Sequence, residues 1–413
     1  MATEFINESI STLTSTLSGP VVAAFSLTLL GALAVGRVKE LRHQSEAAER
    51  RDAMNALPRE LLLPVVHRDP DHLARAGIID SISTLVIAGD WQELSARISR
   101  WEARLEATPG GGRYHDIAIE TCLAGLQNLI DEGSRKSVED LEKAEISVER
   151  FVERHRETPD DHILAVLAAR AHMCVAETCS ADFWPSSERA AAWRRMAHHY
   201  LRAEAILSDY DPVAYMSPLL GGTIYRLALG MPDGGARLRP AFEDWIDLDP
   251  TDPAIYAQHG GNLLPERFGT SDEIRLEALK AERRTRETIG KGGYALFAIP
   301  VIEADETTRL LFEDDILAAG LMDLARLSGT QAEVNWAAAC LAREAQHGSE
   351  ERQAIMASAF DALVKRHLGV IYPRLWHQPL QDIRARLKSV FDADPTGPKQ
   401  FVEVTTSRPR VAA

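Results

Sequence analysis

The chain has 413 residues, 45% hydrophobic and 26% charged, with a formal net charge of -15. That supplies enough apolar material for a large core, and too much charge for a protein that crosses a membrane many times. An acidic average field repels polyanions, so nucleic acid is excluded as a general partner.

Cys122, Cys174, Cys179 and Cys340 are too few and too scattered for a disulfide framework, which fits a reducing compartment. The Cys174–Cys179 spacing is not that of a CxxC pair, and two thiolates alone do not make a zinc site.

In chain order, residues 1–15 read as a polar leader. No charged residue occurs from Ser9 to Gly36. As a helix, residues 19–36 would reach about 27 Å, close to the ~30 Å hydrocarbon core of a bilayer. The expectation is one transmembrane helix over 16–37. Glu4 and Glu8 precede it, whereas Arg37, Lys39, Arg42, Arg50 and Arg51 follow. The positive-inside tendency then predicts a single-pass protein of the cell inner membrane with its C-terminal part in the cytoplasm. No basic region precedes the apolar run, which argues against a cleaved signal peptide. Ala32 and Gly36 form a small-xxx-small pair that would let two spans pack.

Residues 38–77 read as a juxtamembrane helix and linker, broken at Pro58 and Pro64. From 78 the pattern is helical. Ile78, Ile82 and Leu85 share one helix face, and Trp91, Leu94, Ile98, Trp101 and Leu105 share another, with Gly89-Asp90 as the turn between. Ile119, Leu123, Leu126 and Ile130 follow after the Pro109–Gly112 break. Ser137 can cap the next helix, whose face is Leu141, Ala144, Val148 and Phe151 or Val152. Thr158–Asp161 opens an alanine-rich helix over Ile163–Ala176, and another begins near Ser187. Two more are expected at about 271–289 and 291–302. The blocks are therefore a helical repeat array over 78–302, C-terminal repeats or a cap over 303–392, and a tail over 393–413 that is extended or flexible. Strand-type alternation is nearly absent, and turn signals recur at the spacing of stacked helix pairs.

Residues 241–279 carry the most specific pattern. Asp249-Pro250, then Asp252-Pro253-Ala254-Ile255-Tyr256-Ala257, and later Leu264-Pro265 with Arg267-Phe268-Gly269 mark a helix boundary, a helix entry and a junction. The proline positions suit a helix start, where a missing N–H costs nothing. Gly269 is expected to supply a positive φ before Ser271 caps the following helix. This stretch resembles tetratricopeptide-like repeat proteins. It is similar to a bacterial group with a leucine-proline and arginine-aromatic-glycine junction, although Glu266 intervenes and Phe268 stands where that group usually has Trp. The likeness covers roughly 40 residues closely, and 78–350 in general pattern without a strict period. It implies a degenerate tetratricopeptide-like α-solenoid, of a fold that usually binds proteins or assembles complexes.

Candidate chemistry is sparse. His259 sits beside Gly260, Gly261 and Asn262, which permit close backbone approach; it reads as structural, or as the edge of a ligand cleft. His198 and His199 point about 100° apart on a helix and share a metal poorly, with His172 and Glu177 nearby. Glu303, Asp305 and Glu306, then Glu313, Asp314 and Asp315, are acidic without calcium-loop spacing. Gly290–Tyr294 lacks phosphate-loop residues. Trp193 with Arg194, Arg195 and Arg202 forms a basic-aromatic spot. No catalytic, cofactor or metal residue is assigned.

The expected function is a membrane-anchored helical repeat scaffold or adaptor, not an enzyme, whose partner is a protein or a membrane complex. The alternatives are a structural subunit of a larger membrane complex, or a hydrolase-like enzyme with a cleft near His259.

Overall fold

The computed structural model describes residues 62–67, 70–131, 138–179, 189–327, 330–392 and 400–403. Two compact units emerge, one of Met1–Leu63 with Thr396–Ala413 and one of Pro64–Pro395. The described residues include a two-stranded sheet of β1 (Leu62–Val65) and β2 (Gln400–Glu403). β2 falls within the stretch read from sequence as an extended or flexible tail.

The second unit is helical. It begins with α1 (Pro70–Ala88), α2 (Trp91–Ala103), α3 (Tyr114–Asp131), α4 (Val138–Glu157), α5 (His162–Thr178) and α6 (Arg189–Leu207). A short α7 (Pro212–Tyr215) leads into α8 (Pro218–Leu229), α9 (Gly234–Leu248), α10 (Pro253–Asn262), α11 (Ser271–Ile289) and α12 (Gly292–Ala304). A 3-10 turn at Glu306–Leu311 precedes α13 (Asp314–Leu327), α14 (Gln331–Glu344) and α15 (Glu350–His367). A second, at Pro373–Trp376, precedes α16 (Leu380–Asp392).

Local chemistry explains these starts. Asp90, Asp161, Ser217, Asp252, Thr270, Thr330 and Ser349 each accept a backbone N–H in the first turn of the helix they precede. Proline opens α8 and α10, where its missing N–H has no partner to lose. Two local expectations change. Thr270, not Ser271, caps α11. Gly269 has no positive φ; it is glycine because a Cβ there would come within 2.3 Å of the Leu263 carbonyl oxygen.

Successive helices pack on one another through most of the unit, and alternate ones also touch: α1 on α3, α3 on α5, α5 on α8, α10 on α12 and α13 on α15. Contacts of this second kind stack helix pairs into an array. The architecture is therefore all-α and repeat-like. α5 is its most enclosed element, packed by α2, α3, α4, α6 and α8. Its run of Ala165, Ala168, Ala169, Ala171 and Ala176 is fully buried, since a small side chain lets neighbouring backbones approach.

The membrane architecture is corrected. The transmembrane helix expected over 16–37 lies outside the described residues. Among the described residues no helix is long and apolar enough to cross a membrane. The most apolar of them, α12, has 13 residues, and a helix of that length reaches only about 20 Å. Longer helices such as α11 carry charge in every turn, as SDEIRLEALKAERRTRETI shows. The single-span anchor, the inner-membrane location and the membrane-complex subunit rested on that span and are withdrawn. An all-α repeat-like fold remains.

Candidate interaction groove

α5 is buried at almost every position, and beyond its first residue only Arg170, Cys174 and Glu177 escape full burial. Their spacing of four and three residues puts them in one stripe on the helix. α3 and α8 both pack against α5, and the stripe, half-buried at Arg170 and Cys174 and exposed at Glu177, makes the candidate groove with its flanking residues. Gln127 of α3 bonds the Cys174 thiol from one wall. Arg226 of α8 stands on the other, its Nε donating to Oε1 of Gln258 on α10 at 3.1 Å.

The groove is polar and partly buried. Burial pulls the Arg170 guanidinium pKa below its ordinary value, and the positive charge of Arg226 adds to this, while Asp116, Cys174 and Glu177 oppose it. Burial raises the Glu177 carboxyl despite Arg170 and Arg226, although the residue keeps an exposed edge. Burial and then Glu177 raise the Cys174 thiol to about 11, so it stays protonated and a poor nucleophile at neutral pH.

Two buried carboxylates gather the starts of these helices at one end. Glu102, at the end of α2, accepts the Ser217 hydroxyl at 2.5 Å and the Leu219 N–H at 2.9 Å, and meets His162 Nε2 at 3.1 Å. It therefore ties α2 to the first turns of α5 and α8, where a negative charge suits the helix dipole. Asp249, at the end of α9, takes Arg113 Nε and Nη2, each at 2.6 Å. Arg113 also donates to the Leu105 carbonyl at 3.0 Å and to the Thr251 hydroxyl at 2.6 Å. This latch fastens the α2–α3 loop to the α9–α10 turn across 136 residues of sequence.

Asp252, beside the latch, is buried. Burial, then Asp116 and Asp249, push its carboxyl up to about 7, against the Ala254 N–H and Arg113. A raised carboxyl favours the protonated fold, so its stabilising contribution is present in acid and is lost as pH rises from about 4 to 7. Asp252→Asn keeps the acceptor for Ala254 and cannot ionise. Its Tm relative to the parent is expected to climb between about pH 4 and 7 and to level off above that in thermal scans. A difference independent of pH would contradict this.

The residues singled out in the sequence fall elsewhere. His259 is fully buried, stacked on Phe242 at 3.8 Å and edge-on to Tyr225 and Phe297. Asn262 Nδ2 donates to the Tyr225 hydroxyl at 3.2 Å, which lies 3.0 Å from His259 Nδ1. Burial, with Arg239 and Lys280, lowers its pKa to about 3. A neutral imidazole sealed among three aromatic rings meets no substrate, so the hydrolase-like cleft at His259 is corrected to a structural contact.

His199 turns away from His198 and toward His172, the two Nδ1 atoms 2.9 Å apart, with its Nε2 3.4 Å from Glu145. If Nε2–H of His199 donates to Glu145, its Nδ1 accepts from His172, and both rings are neutral. Burial and then His199 lower His172 to about 3. Three of the acidic residues are engaged structurally: Glu303 with Arg343 at 2.6 Å, Asp305 accepting the Thr307 N–H at 2.9 Å, and Asp314 with Arg352. In the Gly290–Tyr294 turn, the Lys291 N–H donates to Asp323 at 2.9 Å. Trp193 stays exposed, and Arg195 approaches Glu145 at 3.8 Å. A separate concavity of about 570 Å³ opens between Ser95 and Ser99 of α2 and the turn at 157–162. Among the described residues no group of three or more His, Cys, Asp or Glu side chains is arranged to hold a metal ion.

No family model, no curated protein and no solved structure matches the chain. The groove residues Arg170, Gln127, Arg226 and Gln258 were missed by motif reading. The available signal was the polar triplet Arg170, Cys174 and Glu177 interrupting an otherwise apolar helix.

Proposed function

We propose that the chain is a helical-repeat scaffold that binds a protein segment along the groove floored by α5, acting by binding rather than catalysis. One observation carries this reading: the most enclosed helix of the array keeps a single line of polar side chains facing the groove, Arg170, Cys174 and Glu177. Stacked helices hold such a line rigidly, so a partner segment would meet a preorganised surface. The resemblance of residues 241–279 to tetratricopeptide-like repeats, a fold that usually binds proteins, supports it further.

Site-specific photocrosslinking in cells that express the protein tests the proposal. A photoreactive residue replacing Gln127 in the groove wall is expected to yield discrete protein adducts. The same residue replacing Glu153, exposed on α4, is not. Adducts from Glu153 alone, or from neither position, would sink the groove reading.

A further inference from the structure

Arg170 and Arg226 come from adjacent packed helices and lie within electrostatic reach of one another. Among the described residues, Arg226 has one hydrogen-bond partner, the neutral amide oxygen of Gln258, and only its Nε is used. Arg170 has no hydrogen bond and no ion pair among the described residues, and it is half-buried. Asp116 and Glu177 act on Arg170 through space, yet neither closes to ion-pairing distance. Two half-buried guanidiniums that repel one another, with unfilled forks that solvent still reaches, make a positive spot that an anion would neutralise.

The same fold contains that arrangement filled. Near its C-terminal end, the wholly buried Glu344 accepts Arg309 Nε at 2.9 Å and Arg352 Nη2 at 2.8 Å. The buried Arg113 likewise meets Asp249, and the partly exposed Arg239 meets the buried Glu277. A planar carboxylate matches the guanidinium fork, and two forks can hold its two oxygens. Its single charge also suits the surroundings better than a phosphate dianion, which Asp116 and Glu177 would repel.

We propose that Arg170 and Arg226 form a carboxylate-binding subsite that receives one aspartate or glutamate side chain of the partner segment. This rests on the groove-binding reading above and names the chemistry that the groove selects. Gln258 positions Arg226 through Nε and leaves its terminal nitrogens for the ligand. Glu177, at the open edge, disfavours a second acid directly beside the first.

The test uses the full-length protein on arrays of degenerate heptapeptides with one fixed central residue: Glu, Gln, phosphoserine or Lys. Retention on the Glu set is expected to exceed that on the Gln set by about tenfold, the scale of one charge-assisted hydrogen bond. Arg170→Gln with Arg226→Gln is expected to abolish that preference, and Arg226→Glu to move it toward the Lys set. Thermal unfolding of each variant confirms the fold. The Arg226→Glu variant keeps the test decisive, because a shifted preference requires a folded protein. Equal retention of Glu and Gln sets by the parent, a preference that survives the double substitution, or a stronger phosphoserine signal would each overturn the subsite. The two proposals fail separately. Groove adducts from residue 127 that persist unchanged in the double variant would leave the scaffold standing and remove the carboxylate site. Loss of groove adducts in the parent would remove the scaffold itself.

Discussion

Arg113→Met is expected to cost about 3–5 kcal/mol of unfolding free energy, the range for stripping one partner from a buried ion pair. Met replaces most of the volume, so the loss isolates charge from packing. Asp249 has no solvent exposure, and without Arg113 its remaining donors are the Thr251 N–H at 3.2 Å and hydroxyl at 3.0 Å. Asp116 and Asp252 stand close enough to raise one another's cost. The damage should be conformational as well, because this latch joins segments 136 residues apart at one end of the groove. Arg113→Met with Asp249→Leu is expected to recover much of the loss, since a charge left without its partner costs more than the pair contributes. Urea unfolding of both variants decides the matter. A single variant within about 0.5 kcal/mol of the parent would mean that water already reaches the pair.

Much of the helical order was legible from local signals. Asp161 and the Asp252-Pro253 entry mark the starts of α5 and α10, and residues 271–289 and 291–302 read nearly as α11 and α12 fold. Errors arose where two local rules compete. The helical pattern is read as starting at 78, after the linker, yet α1 already begins at Pro70, where the first turn accepts proline. Thr270 and Ser271 are both competent caps, and only backbone geometry chooses Thr270. The apolar N-terminal run carries a strong pattern for a span but no tertiary partner that a sequence can display, and the described fold gives it no support.

The site was legible only in part, for a different reason. Helical periodicity identifies which face of α5 is polar, but not which helices stand opposite. Arg170 and Arg226 are 56 residues apart in sequence, and their meeting depends on α3 and α8 both packing on α5. His259 misled for the same reason. Its glycine neighbours permit close approach, which reads as packing or as a cleft edge, and only Phe242, Tyr225 and Phe297, arriving from three other helices, show that it is packing. One glycine shows why the approach is close: a Cβ on Gly260 would lie 2.5 Å from the Val301 side chain.

Glu344→Gln is expected to cost about 3 kcal/mol, although it changes one atom. The parent carboxylate faces Arg309, Arg352 and, at 3.4 Å, Arg343. An amide cannot balance those charges, and it turns a donor toward one of them. Arg352 is the most exposed to this loss, since burial and then Arg309 already pull its pKa down, and Asp314 would be its remaining acidic partner. Because Arg309 lies in the 3-10 turn and Arg352 in α15, amide exchange should accelerate across α13, α14 and α15 before it does in α5. Uniform acceleration would instead mean that the array unfolds as one cooperative unit. Arg170→Gln provides the contrast. It removes a guanidinium that has no bonded carboxylate and relieves repulsion from Arg226, so Tm should hold or rise. Opposite signs at the two sites would follow directly from one arginine pair holding its anion within the fold and the other awaiting it from outside. A comparable loss at Arg170 would show that Asp116 and Glu177 already neutralise it, and the groove would have no charge left to offer a partner.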